Sequence, residues 1–319
     1  MTKIIFLSIF LFIFCLAAKP ALAAPYGMSI YPPLLRVQIK PGKSITQVFS
    51  IANLNANDKF FIARVVPFTE SDNLGNPIID PKKQALWQKY FSLTNAFIKL
   101  DEPFMVRGGG TEQLIVSISI PENAPLQDLY ATLLVSTYSN AVAAKYQGSV
   151  VSATVGSNFL ITVCSDLNPA TLLRIENFVP TSGTYFKIGS TYFVDNISPL
   201  SFSANIKNNG NFTAETKGIF RITTKDDSPV FLDGILPVYV ISKNSRKLLN
   251  QDGDTFAFAP TLSQIGSYKA VLEIKTDNSN STSSVDIIFL PFKALIGLFI
   301  SIFIVLTIIR FTQKPKISD

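Results

Sequence analysis

Histidine is absent from this 319-residue chain, and tryptophan occurs once. Without imidazole the commonest general base and the commonest metal ligand are gone, so a histidine-based triad and a His-containing zinc site are both excluded. Cysteine is nearly as scarce, at two residues. Charge is thin too: Asp, Glu, Lys and Arg make up 16% of the chain, against about a quarter in an ordinary soluble domain. Such a shortfall points to a part of the chain meant for lipid. No G-x-S-x-G, Walker loop or paired-cysteine zinc spacing is present. The spacing of the acidic residues gives no support to a hydrolase working through two facing carboxylates. The chain reads as a non-enzyme, with no catalytic residue, metal ligand or cofactor assigned.

What is there begins with the two ends. Residues 1–23 read as a secretory signal: Lys3 supplies the positive start, an apolar run follows, and Ala21-Leu22-Ala23 forms the cleavage site. Removing it takes Cys15 away and leaves Cys164 as the one cysteine of the mature chain, within the apolar run Phe159-Leu160-Ile161-Thr162-Val163-Cys164. That setting suits a buried small hydrophobe. Near the other end, residues 291–311 are long and apolar enough to cross a bilayer, at about 1.5 Å per residue in a helix. Arg310, Lys314 and Lys316 lie at or beyond the far end of that run. A short basic tail, 312–319, is the kind retained in the cytoplasm. The expected topology is a single-pass cell-membrane protein with its body outside and its C-terminus inside. Six of the 28 basic residues but one of the 22 acidic ones lie in these two ends. The body is therefore close to neutral, its sequence pI of 9.1 is no nucleic-acid footprint, and no nucleic acid is expected as a partner.

The body, 24–290, consists of short β-branched and aromatic runs separated by Pro, Gly, Asn and Asp. Strands are expected over 35–39, 44–54, 60–66, 113–120, 129–138 and 148–164. A break at Asp166, Asn168 and Pro169 follows, then a second series over 171–178, 200–208, 217–224, 234–241, 268–276 and 284–290. The fold class this predicts is all-β: two tandem Ig-like antiparallel β-sandwiches, 24–166 and 167–290, followed by a single transmembrane helix.

Residues 69–95 break the strand rhythm. A connection this long within a domain is usually functional or mobile, and it holds the single tryptophan. Trp87, Tyr90 and Phe91 are the candidate binding residues, forming either a contact surface on a binding loop or, with Trp87 tucked beneath it, a plug in the core. Other polar clusters read as turns. Gly108-Gly109-Gly110 precedes a strand rather than a helix, and Asp252-Gly253-Asp254 lacks the remaining positions of a calcium loop. Asn196, Asn211 and Asn280 each open a glycosylation triplet.

Several of these strings follow one pattern. Ile30-Tyr31-Pro32, Pro41-Gly42, Ser50-Ile51-Ala52-Asn53-Leu54 and Ser117-Ile118-Ser119-Ile120-Pro121-Glu122-Asn123-Ala124-Pro125 come in order in the first half. Asn209-Gly210-Asn211, Ile235-Leu236-Pro237 and Gly266-Ser267-Tyr268 come in the second. Together they resemble the WxL-interacting protein type of bacterial surface protein, although Gln127-Asp128 stands where that pattern has glycine before the tyrosine. The resemblance implies a peptidoglycan-binding Ig-like domain, a second Ig-like domain and a membrane anchor. The expected function is thus a non-catalytic, membrane-anchored cell-surface binding or scaffolding protein that contacts peptidoglycan or a secreted surface protein. The alternative is a pilus-chaperone-like protein that captures subunits by β-strand addition, with Arg36 and the run 148–164 serving capture and strand donation.

Overall fold

The computed structural model describes residues 27–138, 152–165, 169–276 and 280–312. The expected signal, the boundary at 166/167 and all of the tail but Thr312 lie outside them.

Alternation of apolar and polar residues builds the first sandwich. Its strands are β1 (Met28–Tyr31), β2 (Leu34–Ile39), β3 (Ser44–Asn53), β4 (Lys59–Pro67), β5 (Phe91–Leu93), β6 (Pro103–Val106), β7 (Thr111–Ser119), β8 (Asp128–Thr137) and β9 (Thr154–Val163). They form two sheets, β1-β3-β7-β5 and β2-β9-β8-β4-β6. Along β7, Leu114, Val116 and Ile118 are fully buried, as a period of two requires. They meet Phe49 and Ile51 of β3 and Phe159 and Ile161 of β9 in one core. Phe159 lies 5.3 Å from Phe49 and 5.6 Å from Phe91, ring centre to ring centre. The chain crosses from one sheet to the other between β1 and β2, and β2 then runs parallel to β9.

The second sandwich repeats this plan. Its strands are β10 (Leu173–Ser182), β11 (Tyr185–Ile188), β12 (Thr191–Asp195), β13 (Leu200–Asn208), β14 (Ala214–Thr224), β15 (Pro229–Gly234), β16 (Val238–Val240), β17 (Ser245–Leu248), β18 (Phe256–Phe258), β19 (Gly266–Lys275) and β20 (Asn280–Leu290). One sheet runs β10-β13-β17, with β18 also on β13. The other runs β11-β12-β20-β19-β14-β15, with β16 also on β14. Here too an early strand changes sheet: β10 pairs with β13, whereas β12 runs parallel to β20. Phe178, Phe202, Phe220, Phe256 and Phe289 are buried between the sheets. The described residues are thus mostly β, two sandwiches followed by a helix, α1 (Phe292–Thr312).

Each sandwich is pinned at the end of its third or fourth strand by a fully buried asparagine. Asn53 Nδ2 donates to the carbonyls of Asn57 (2.9 Å) and Val106 (3.0 Å), while its Oδ1 accepts from Asn55 N. Asn208 Nδ2 donates to the carbonyls of Phe212 (2.8 Å) and Val240 (2.9 Å), and its Oδ1 accepts from Gly210 N. A primary amide suits this place because it offers two donors and an acceptor on one rigid group.

Several strands were not expected from sequence: β1, β5 and β6 in the first sandwich, and β11, β12, β15, β17 and β18 in the second. Most are short, and β17, Ser-Arg-Lys-Leu, is mostly polar. The expected strand over 234–241 is split instead, with β15 ending at Gly234 and β16 beginning at Val238. Pro237 between them has no N–H to give a ladder.

Candidate functional site

The two sandwiches meet on the outer face of the β2-β9-β8-β4-β6 sheet. Phe68, Tyr130 and Leu160 of the first pack against Ile241 of the second, all buried, with Tyr239 beside them. Phe68 and Tyr130 stack at 5.7 Å. Burial of an apolar side chain of this size contributes about 1.5–3 kcal/mol.

A polar lock closes one side of this contact. Asp128, at the start of β8, accepts from the Tyr130 hydroxyl (2.5 Å) and the Thr162 hydroxyl (2.7 Å) of its own sandwich. From the second sandwich it accepts the backbone N–H of Thr213, and Thr213 Oγ1 lies 2.7 Å from the same carboxylate. The Tyr130 oxygen also accepts from Ser242 N at 2.9 Å. Burial pushes the Tyr130 hydroxyl well above its ordinary pKa, and the neighbouring Asp128 charge adds to the shift. The phenol therefore stays a donor to Asp128.

The long connection 69–95 divides its work between the sandwiches. Asp72 folds its first part: Oδ1 accepts from Leu74 N (2.9 Å) and Asn76 N (2.8 Å), and Oδ2 from Asn76 Nδ2 (2.8 Å). These bonds hold the Asp72 carboxyl below the usual carboxylate range. This turn lies on the second sandwich, where Ser71 N donates to Asn244 Oδ1 (3.1 Å) and Lys247 N to Asn73 O (2.7 Å). Gly75, at φ +85°, lies against the Arg246 guanidinium, where a Cβ would come within 2.2 Å of Nη1. Both backbone and space demand glycine there. Burial lowers the Arg246 pKa from its ordinary value, with Asp72 opposing the shift.

The second part turns back into the first sandwich. Trp87, in a 3-10 turn at Leu86–Tyr90, is half-buried against the core. Its ring centre lies 5.9 Å from that of Phe91. Phe91 is a core residue, stacked on Phe159, and does not face solvent. Tyr90 is half-buried against the same core. Of these three candidate residues, Trp87 also lines a cleft.

That cleft, about 780 Å³, lies beside the joint and is lined by Trp87, Glu70, Asp128, Tyr130, Lys243 and Asn244 among others. A smaller groove of about 190 Å³ is lined by Leu34, Phe68, Leu160, Tyr239, Ile241 and Arg246 among others. Arg36 of β2 is held at the joint as well. Its Nη1 is 3.4 Å from Glu215 Oε2 of the second sandwich, and its guanidinium lies 4.8 Å from the centre of the Tyr239 ring. Half-exposed ion pairs of this kind contribute little to stability.

The groove borders β9 at Asn158. β2 pairs with β9 from Asn158 onward, and Asn158 N donates to Pro33 O at 2.9 Å. Ala153, on the opposite alternation, is bonded to Thr137, the last residue of β8. Thr154 and Gly156 therefore turn their backbone groups away from β8. Among the described residues, no strand pairs with that side of β9 over 154–156, whereas Ser157 is buried and its hydroxyl donates to Pro32 O at 2.7 Å.

The other sequence features resolve as turns. Gly108 lies so close to the Ala56 carbonyl that a Cβ would be 2.1 Å away, and the three glycines connect β6 to β7. Asp252-Gly253-Asp254 forms a turn closed on Asn250. Asn196, which opens a glycosylation triplet, is 1% exposed, and its Nδ2 donates within the fold. A glycan cannot be attached there without opening the fold. Sequence reasoning missed Asp128, Tyr130 and Thr213, although Gln127-Asp128 was visible as a departure from the glycine of the family pattern.

No family model matches this chain, and no curated protein matches it. Solved structures do. The chaperone–tip subunit pre-assembly complex CsuC–CsuE from Acinetobacter baumannii is matched at 11% identity and TM-score 0.35, over 71% of this chain and 92% of that one. The class 5 fimbriae chaperone CfaA is matched at 10% identity and TM-score 0.38, over 81% and 99%. The E. coli chaperone DraB is matched at 11% identity and TM-score 0.34, over 82% and 97%. These neighbours are pilus chaperones and not WxL-interacting proteins, so the resemblance to that type is corrected. The expected wall-contacting surface scaffold is corrected with it, and the peptidoglycan partner has no support. The neighbours match the kind of protein weighed as the alternative.

Proposed function

We propose that this chain is a non-enzymatic, chaperone-like carrier of an exported protein subunit, which it holds by β-strand addition. The observation that carries this reading is the edge of β9 over 154–156, unpaired among the described residues and close to the apolar groove between the sandwiches, which Asn158 lines. An extended segment laid along that edge satisfies its own backbone groups and those of Thr154 and Gly156. It then directs an apolar side chain toward Leu34 and Leu160. The rigid joint built on Asp128 supports this use, because it keeps groove and edge in register. The absence of histidine supports a binding role over catalysis.

In the same reading the carrier is tethered. α1 is uncharged from Ala294 to Ile309, is long and apolar enough to cross a membrane, and at about 1.5 Å per residue matches a hydrocarbon core of about 30 Å. Arg310 and the basic residues after it in the sequence support a C-terminus on the inner side and the sandwiches outside.

Site-specific photocrosslinking in the native host tests the capture reading. A photoreactive residue at Thr154 and another at Leu34 should trap the same exported protein, while one at Val230, exposed on β15, should not. Adducts to this chain alone, or equal trapping from Val230, would count against the proposal.

A further inference from the structure

The end of the second sandwich from which α1 emerges carries exposed apolar side chains. Ile197 is 50% exposed, Leu262 66% and Ile265 54%. They belong to two loops held together by one residue. Asn196 Nδ2 donates to Leu262 O (3.2 Å) and lies 3.4 Å from the carbonyls of Thr261 and Gln264, and Asn196 N donates to Leu290 O at 3.2 Å. Ile197 and the 261–265 loop are therefore gathered around the last residue of β20, and Gly266 of β19 pairs beside it with Phe289.

Between β20 and α1 stands one residue, Pro291. The helix does not swing from that link. Asp195, fully buried, accepts from Lys293 N through Oδ1 (3.2 Å), and its Oδ2 lies 3.6 Å from Lys293 Nζ. The carboxylate thus caps the first turn from outside the helix, where its unpaired N–H groups and dipole favour an anion. Phe186 of β11 stacks on Phe193 at 5.0 Å and meets Phe292 at 6.0 Å. From Lys293 to Leu306 every helix residue is exposed, so α1 projects away from the sandwich.

These facts set a depth. If the apolar run of α1 occupies the hydrocarbon, its boundary falls within a turn of Phe292. The headgroup layer is about 5–8 Å thick on each side, and the capped junction leaves no spacer to lift the sandwich above it. We infer that Ile197, Leu262 and Ile265 are inserted in the headgroup layer of the bilayer, so that the second sandwich stands on the membrane in one fixed orientation. This rests on reading α1 as a span. The occupant of the patch is lipid, because the patch surrounds the base of the lipid-facing helix, and Lys293, whose Nζ reaches the Ser198 hydroxyl next to Ile197, suits the phosphate level.

Depth-dependent quenching of the full chain in phosphatidylcholine–phosphatidylglycerol vesicles tests this. In a Cys15→Ser, Cys164→Ser background, an environment-sensitive fluorophore is placed singly by Leu262→Cys, Ile265→Cys, Val230→Cys or Gly297→Cys. Headgroup-level spin-labelled lipid should quench the probes at 262 and 265 several-fold more than the probe at 230, with aqueous iodide showing the reverse order. Two probe positions in the loop guard against one disturbing it. If 262 and 265 behave like 230 while the probe at 297 is quenched by acyl-chain labels, the span stands and the seating is wrong. If 297 is not quenched by lipid, both fall.

Discussion

The two sandwiches share a plan and differ in what they are fastened to. Both change sheets with an early strand and both are pinned by a buried asparagine, Asn53 or Asn208, making the same turn over the next four residues. Each also uses one aspartate to hold its neighbour. Asp128 fastens the first sandwich to the second with hydroxyl and amide donors around an apolar contact. Asp195 fastens the second to α1 with a helix N–H and an ammonium. The shared parts are those that close a sandwich. The differing parts sit at strand ends, where a side chain can be changed without disturbing the core.

The largest effect is expected at the asparagines. Asn53→Ala or Asn208→Ala leaves buried carbonyls unpaired and should cost about 2–4 kcal/mol each, read by denaturant unfolding. Asn208→Ala should also loosen the joint, because Ser242 Oγ bonds to Gly210 O in the turn it shapes. Hydrogen exchange at Ser242 N should rise in that variant and stay unchanged in Asn53→Ala. Equal responses at Ser242 would show that the joint does not depend on the turn.

Asp128→Ala comes next, at about 1–3 kcal/mol, since it strands the Tyr130, Thr162 and Thr213 donors. Both sandwiches should stay folded while the angle between them becomes variable, which X-ray scattering of the soluble body would detect. An unchanged scattering profile would assign the joint to Phe68, Leu160 and Ile241 alone.

Asp195→Ala removes the cap of α1 and leaves Lys293 without its carboxylate, a loss of about 0.5–2 kcal/mol confined to the junction. Amide exchange should rise at Lys293 while the joint at Asp128 keeps its protection.

The smallest effect concerns Asp72. Its folded pKa is depressed, so its contribution to the docked loop is fully present above the unfolded value and disappears as pH falls through the folded one. The contact of Asn73 O with Lys247 N should be constant from neutral pH down to the ordinary carboxylate range and weaken only below it. NMR titration of the Lys247 amide would show this, and loss near neutral pH would contradict it.

Much of the fold could be read from residue order. The strands with clean alternation, such as β3, β7 and β13, were legible because burial on one face leaves a period of two. Strands such as β11 and β17 were not, since a short or largely polar strand is chosen by its neighbour rather than by its own pattern. The site was less legible. Trp87, Tyr90 and Phe91 were marked by their long loop, yet Phe91 belongs to the core and Trp87 only borders the cleft. Asp128 and Thr213 are 85 residues apart, and no local pattern links them.

Composition excluded histidine chemistry, and hydropathy marked out the apolar helix, because both depend on residue type and short-range order. Which strands stand side by side, and which aspartate meets which donor, depend on packing between segments far apart in the chain. The same is true of the apolar loops around α1: Ile197 and Leu262 are ordinary loop residues in the sequence, and Asn196 brings them together at the helix's first turn.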